Sequence, residues 1–335
     1  MAEKKVTILD IANKLKLSKS TVSKALSSAT DVNEQTRERV LRCASELGYY
    51  VKQDRTPKEK NVIIFIYGIH YGSVDQFGYE IILGIQAAAN DANCGVKIAA
   101  INDDELRTGK YYSIMAGRSY YGSFFLGFRP HEEFIEHVKK TNLPIVVLDN
   151  YFDSPLVARV GCDSMLGIKQ IVEHLIKNGH SHIGFLGGER DSIVTKEREE
   201  AFRKVLLEND IIPDDNIIKY GHFSGKNMKE TVLEIAAKNP TAIVCVSDII
   251  ACSAIKILNE NSYLVPDDIS VTGYDNLPLA QYSHPALTTV SQNRIHIGKT
   301  AFSILQLMKN GIRLESVSLR PELVERESVK DLTKN

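Results

Sequence analysis

Residues 7–26 read Thr7-Ile8-Leu9-Asp10-Ile11-Ala12-Asn13-Lys14-Leu15-Lys16-Leu17-Ser18-Lys19-Ser20-Thr21-Val22-Ser23-Lys24-Ala25-Leu26. Ile8, Ile11, Ala12 and Leu15 fall at i, i+3, i+4 and i+7, the spacing of one helical face, and Thr7 is placed to cap that helix. Ser18 can cap a second helix, which turns Val22, Ala25 and Leu26 inward. Working outward, Asn33 can cap a third helix with Val40, Leu41, Ala44 and Leu47 as its apolar stripe, ending at Gly48 as a C′ residue. Two helices joined by a tight turn are the geometry of a helix-turn-helix, whose second helix enters the major groove. Lys19, Ser20, Ser23 and Lys24 point outward on that helix, where Lys and Ser can meet base edges. Ser18 and Thr21 stand where hydroxyls reach phosphates. Thr7 and Asn33, at the openings of the flanking helices, complete the expected DNA-binding set. A three-helix module that binds another protein is the competing reading of the pattern alone.

Charge supports a polyanionic partner for this head. Residues 1–60 hold 13 Lys+Arg against 8 Asp+Glu, while the remainder holds 28 against 34, within a chain of net charge −1. A basic head on an acidic body is the electrostatic footprint of a nucleic-acid reader. No apolar run approaches the roughly 20 residues of a membrane span. The N-terminus lacks a secretory h-region, so a cytoplasmic location is expected. Cys43, Cys94, Cys162, Cys245 and Cys252 are odd in number and show no CxxC spacing, which argues against a disulfide frame or a zinc site. No metal and no cofactor are expected.

Residues 51–61, Val-Lys-Gln-Asp-Arg-Thr-Pro-Lys-Glu-Lys-Asn, are polar and Pro-interrupted and read as a linker. Beyond it, short apolar runs at 62–67, 96–101, 122–126, 144–148, 182–186, 241–246 and 269–273 alternate with helix-length amphipathic segments. These lie near 78–92, 131–140, 164–178, 196–209, 226–238, 248–261 and 294–309. Strand–helix alternation predicts an α/β body of parallel sheets covered on both faces. So many units over about 270 residues favour two lobes.

The stretches Thr7 to Ala12, Leu17 to Leu26, Val32-Asn33-Glu34-Gln35-Thr36-Arg37-Glu38-Arg39-Val40 and Glu46-Leu47-Gly48-Tyr49 closely resemble the head of the lac-repressor-like (LacI/GalR) regulators. The resemblance continues through Gly179-His180-x-His182-Ile183-Gly184, Val246-Ser247-Asp248, Val265 to Asn276, Pro285 to Val290 and Leu323 to Ser328. It implies a body like the periplasmic sugar-binding proteins, with two similar lobes, three crossover strands and a ligand cleft between them. Within 62–335 it places one lobe at about 62–160 and 291–320, and the other at about 161–290 and 321–335. The head is then residues 1–50. The implied function is a homodimeric transcriptional regulator, most commonly a repressor, of a double-stranded DNA operator. Its affinity would be set by a small-molecule effector, expected to be a carbohydrate.

By the same resemblance, operator-discriminating positions fall on Lys19, Ser20 and Lys24. Family members often carry Arg at the last, so Lys24 trades a bidentate fork for a point charge. Arg198 and Asp275 match positions that bind ligand hydroxyls, Asp149 and Ser247 match weaker contacts, and Phe77 matches an aromatic lining the cleft. An Arg fork and carboxylates suit vicinal hydroxyls, and an aromatic face packs the apolar side of a sugar. Ser247 stands where Asn is frequent, so one amide contact is lost. Each residue also has a plainer reading: Arg198 could pair with Glu197 or Glu199 on a solvated face, Asp275 could close a turn before Pro278, and Phe77 could be core. Asp248 is read as the N-cap of the 248–261 helix.

The match departs in one place. The family's Pro-Asn and Ala-x-x-Leu hinge helix, which wedges a Leu pair into the minor groove, has no counterpart in Tyr50-Val51-Lys52-Gln53-Asp54-Arg55-Thr56-Pro57. Operator bending and the route of allosteric coupling are thereby open. An enzyme is disfavoured, since there is no GxGxxG, Walker loop, GxSxG elbow or HExxH. His180 and His182 alternate along a strand entry and face opposite sides. A periplasmic receptor would suit the body but not the basic head. A regulator controlled by a non-sugar metabolite or by a protein partner stays in contention.

Overall fold

The computed structural model describes residues 6–26, 32–47, 49, 61–117, 120–128, 136 and 143–334. The linker at 51–60, the residues after Tyr49 expected to replace a hinge helix, Gly48, and most of the helix expected at 131–140 lie outside the described residues. Three helices open the chain: α1 (Ile8–Leu15), α2 (Lys19–Leu26) and α3 (Glu34–Glu46). At the start of α1 the Asp10 carboxylate reaches back and accepts from both the Thr7 amide (2.8 Å) and the Thr7 hydroxyl (2.7 Å). Lys16 then takes a left-handed conformation at φ 54° and ends the helix. Asn33 Oδ1 accepts from the Thr36 amide at 2.7 Å and caps α3. Ile11, Ala12, Val22, Ala25, Leu26, Val40, Cys43 and Ala44 form the buried core of this three-helix unit.

The remaining chain alternates strands and helices: β1 (Asn61–Ile66), α4 (Phe77–Asp91), β2 (Gly95–Ala100), α5 (Asp103–Arg107), α6 (Lys110–Gly117), β3 (Tyr120–Leu126), β4 (Ile145–Leu148) and β5 (Val157–Cys162). Next come α7 (Ser164–Lys177), β6 (Ile183–Gly187), α8 (Ile193–Glu208), β7 (Ile218–Tyr220), α9 (Lys229–Ala236), β8 (Ala242–Cys245), α10 (Asp248–Glu260), β9 (Ser270–Thr272) and α11 (Pro278–Tyr282). Last are β10 (Thr289–Ser291), α12 (Arg294–Lys309), β11 (Ser316–Leu319) and β12 (Glu322–Val324). One sheet has the order β11-β5-β4-β3-β1-β2, a second β7-β6-β8-β9, and β10 pairs antiparallel with β12. The pairs β1–β2, β1–β3, β3–β4, β6–β7, β6–β8 and β8–β9 are all parallel. The fold is therefore the parallel α/β body behind a helix-turn-helix head that the alternation implied. Asn61, assigned to the linker from its polarity, instead opens β1 in register with Gly95.

The chain divides into two compact units, one of residues 1–68, 86–159 and 301–315, the other of 69–85, 160–300 and 316–335. In the first, Phe65, Tyr111, Phe125 and Phe128 stack mostly edge-to-face in the core. In the second, Ile171, Val172, Phe185, Phe202, Val244 and Ala254 are among the fully buried residues on both faces of the β6–β9 sheet. That packing is what fixes the strand ends from which the polar residues described next emerge.

Candidate functional site

In the head, Lys19, Ser20, Ser23 and Lys24 are exposed on α2 while Val22, Ala25 and Leu26 are buried. The helix therefore presents one polar face, and its apolar face is spent on the head's own core. Ser18 Oγ accepts from the Thr21 amide at 3.0 Å and shares hydrogen bonds of 2.8 Å with the Ser20 and Thr21 hydroxyls. These hydroxyls crowd the N-terminal turn of α2, where backbone N–H groups point outward and favour an anion. Thr7 and Asn33 are exposed, but the Thr7 hydroxyl is engaged by the Asp10 carboxylate and the Asn33 side chain caps α3.

In the second unit, Arg198, Ser247 and Asp275 converge. Arg198 (4% exposed) donates to the Val246 carbonyl, lies over the Tyr274 ring at 3.6 Å, and stands 4.0 Å from Asp275. A solvated pairing with Glu197 or Glu199 is excluded by that burial. Glu199 accepts instead from Arg203 (2.8 Å) and from the Tyr220 hydroxyl (2.6 Å). Asp275 (6% exposed) follows β9 with φ 117°, a backbone conformation costly for a residue with a Cβ. Its Oδ1 accepts from Gln292 at 2.5 Å and its amide donates to the Val290 carbonyl at 2.8 Å. The buried Arg198 Nε and Gln292 Oε1 have no hydrogen-bond partner among the described residues. Unmet capacity of this kind, a donor and an acceptor a few ångströms from a carboxylate, is what a polyhydroxylated ligand would satisfy.

Asp248 departs from its expected role. Ser247 is the N-cap of α10, its Oγ accepting from the Ile250 amide at 3.3 Å. Asp248 is fully buried and accepts from the Leu277 amide (2.6 Å) and the Thr289 hydroxyl (2.5 Å), tying the Asp275 turn to β10. The Asp248 carboxyl is pushed well above its ordinary range by burial, and then by the neighbouring Asp275 charge. Phe77 is the half-buried first residue of α4, in the same unit as Arg198 and Asp275. Asp149 follows β4 in the other unit, in a left-handed conformation at φ 52°. His180 is buried against the Lys330 carbonyl (3.0 Å), and His182 bonds the Asn239 carbonyl (3.1 Å). They share no ligand geometry, and no metal-holding cluster occurs among the described residues. Sequence reasoning missed Gln292, Arg294 and Glu80 around Asp275. The run Gln292-Asn293-Arg294 between a short strand and a helix was the only local signal.

Comparison with known proteins matches residues 7–51 to "Bacterial regulatory proteins, lacI family" and residues 172–329 to "Periplasmic binding protein-like domain". The HTH-type transcriptional repressor PurR of Photobacterium profundum is 31% identical over 331 residues, covering 97% of this chain and 99% of that protein. A complex of the transcriptional regulator CelR with cellobiose superposes with a TM-score of 0.71 at 24% identity, over 97% of this chain and 100% of that one. A lac repressor dimer bound to operator and the anti-inducer ONPF gives a TM-score of 0.72 at 23% identity, over 98% and 100% of the two chains.

Proposed function

Because the chain belongs to the lacI family of bacterial regulatory proteins, we propose that it is a homodimeric repressor whose operator affinity is set by a carbohydrate or carbohydrate derivative bound at Arg198 and Asp275. It is a DNA-binding transcriptional regulator and not an enzyme. The exposed Lys19-Ser20-x-x-Ser23-Lys24 face of α2 carries the first half of the proposal. A helix that presents its polar residues outward, with its apolar side already packed, is available to a groove. Ser18 and Thr21 set register on phosphates, while Lys19, Ser20 and Lys24 read base edges. Two such heads in a two-fold dimer would read half-sites one helical turn, about 34–36 Å, apart.

The single observation that carries the effector half is a buried Arg198–Asp275 pair beside two buried atoms, Arg198 Nε and Gln292 Oε1, that find no hydrogen-bond partner among the described residues. A planar fork beside a carboxylate offers donors to one hydroxyl and an acceptor to its neighbour, the requirement of a vicinal diol. Phe77 and Ser247, of the same unit, supply further contacts. The effector stabilises whichever arrangement it binds and shifts the operator-binding population accordingly. A thermal-shift panel of mono- and disaccharides, cellobiose included, tests this. A binding sugar at 100-fold above its Kd stabilises by about 2.7 kcal/mol. Arg198→Ala is expected to abolish that shift while operator binding persists. A retained shift would misplace the site, and a response only to a non-sugar metabolite or protein would correct the effector class.

A further inference from the structure

The turn at Asp275 is held in a conformation that its own residue type opposes. At φ 117° it carries a local cost that surrounding contacts must offset. One of those contacts reaches well beyond the turn. Arg294, 3% exposed at the start of α12, donates through one guanidinium nitrogen to the Asp275 carbonyl at 2.5 Å. Through the other it pairs with Glu80 Oε2 at 2.8 Å. Glu80 lies in the first turn of α4, three residues after Phe77. One planar fork thus joins the strained turn to the helix end that presents the aromatic.

The neighbouring residues suit this arrangement. Gln292 holds the Asp275 side chain, and Asn293, between the two residues that grip Asp275, takes a left-handed conformation at φ 47°. A cavity of about 370 Å³ lined by Glu80, Asn276, Gln281, Asn293, Arg294 and Arg326 adjoins the pair, so the Glu80 end meets solvent while the Asp275 end is buried. A fork of this kind transmits position because its two donors are fixed in one plane, which a flexible ammonium cannot reproduce.

We propose that Arg294 is a positioning residue, anchored by Glu80, that holds the Asp275 turn and the first turn of α4 in a single register. This rests on reading Asp275 and Phe77 as effector contacts. The consequence is that neither segment moves alone.

Amide hydrogen exchange on the full-length protein, without any added effector, tests the coupling. E80Q leaves the Arg294 side chain in place and removes its charged anchor. Exchange in peptides covering 273–277 and 77–83 is expected to rise together, roughly tenfold, with β6 unchanged. R294M, which keeps the bulk and removes both donors, is expected to loosen the same two segments. R294K keeps a cation and lacks the fork, so it protects one segment at most. Exchange rising in α4 alone for E80Q, an unchanged pattern in R294M, or full protection of both segments in R294K would each overturn the proposal. Should R294M fail to fold, E80Q decides. The outcome does not depend on what binds at Asp275, which the response of Arg198→Ala judges separately.

Discussion

Asp248 shows how far a single residue's role can lie from its local signature. An Asp after a strand and before a helix is a reasonable N-cap, but Ser247 takes that position and Asp248 turns into the core toward Leu277 and Thr289. Those partners are 29 and 41 residues away, and no local spacing encodes them. Because burial raises its pKa, the folded chain retains a proton on Asp248 that the unfolded chain releases above the ordinary carboxylate range. Folded protein then binds more protons than unfolded, so this residue's contribution to stability falls as pH rises from about 4 towards its raised pKa. Asp248→Asn mimics the protonated acid. Its oxygen can accept from the Leu277 amide, and its NH2 can donate to a Thr289 hydroxyl that reverses its role. Urea unfolding between pH 5 and 8 is expected to place Asp248→Asn within about 1 kcal/mol of the parent with a flatter pH dependence. Asp248→Ala leaves a buried amide and hydroxyl unpaired and is expected to lose about 2–3 kcal/mol. A pH profile left unchanged by Asp248→Asn would show that the carboxylate is ionised in the folded state over this range.

At the scale of elements, segments that carry a continuous apolar run or a clear helical stripe were legible and the others were not. The helices α4, α7, α10 and α12 and the strands β1 to β4, β6, β8 and β9 follow apolar runs or 3.6-residue periodicity. The strands β5, β7, β10, β11 and β12 and the helices α5 and α6 escape, because polar residues or glycine interrupt their apolar content and the pairing of the strands is fixed by distant partners. Gly84 makes the same point within a helix. From sequence it is only a residue of poor helical propensity, costing roughly 1 kcal/mol against Ala. In the structure α4 and α12 cross at Gly84 and Gly298, and a Cβ on Gly84 would meet the Ile295 carbonyl oxygen at 2.1 Å. The obstacle is backbone, so no side-chain rotation relieves it, and the same is true of a Cβ on Gly298, 2.0 Å from the Ile81 carbonyl oxygen. Overpacking costs typically 1–3 kcal/mol, and here the helices themselves must separate. Gly84→Ala is therefore expected to destabilise by at least about 2 kcal/mol despite its gain in propensity, measured as a lower urea midpoint. A neutral or stabilising result would mean that the crossing yields freely. Since Ile295 follows Arg294 directly, the substitution is also expected to perturb the register of the Asp275 turn.

Across the whole molecule, charge divides the labour. The first 60 residues are net positive and the remainder net negative, although the chain as a whole is almost neutral at −1. Overall pI would therefore mislead about a nucleic-acid partner, and the distribution is what matters. An acidic body is repelled by a polyanion, so attraction falls to the head, and the salt dependence of operator binding should count only its few phosphate contacts. Each phosphate neutralised contributes about −0.9 to the slope of log K against log salt. Lys19 and Lys24 allow the two kinds of contact to be separated, because both are exposed on the face of α2 that faces away from the head's core. A lysine reading a guanine edge adds discrimination of about 1–3 kcal/mol at one base pair and no phosphate. A lysine on the backbone adds about one unit of slope and no discrimination. Lys19→Ala and Lys24→Ala are expected to relax preference at one position each of an operator selected from random duplexes, with slopes close to the parent's. Anisotropy titrations from about 50 to 200 mM salt on the selected and substituted duplexes supply both readings. If either variant instead weakens all sequences alike and flattens the slope by about one, that lysine holds the backbone, and sequence reading passes to Ser20 and its neighbours on α2.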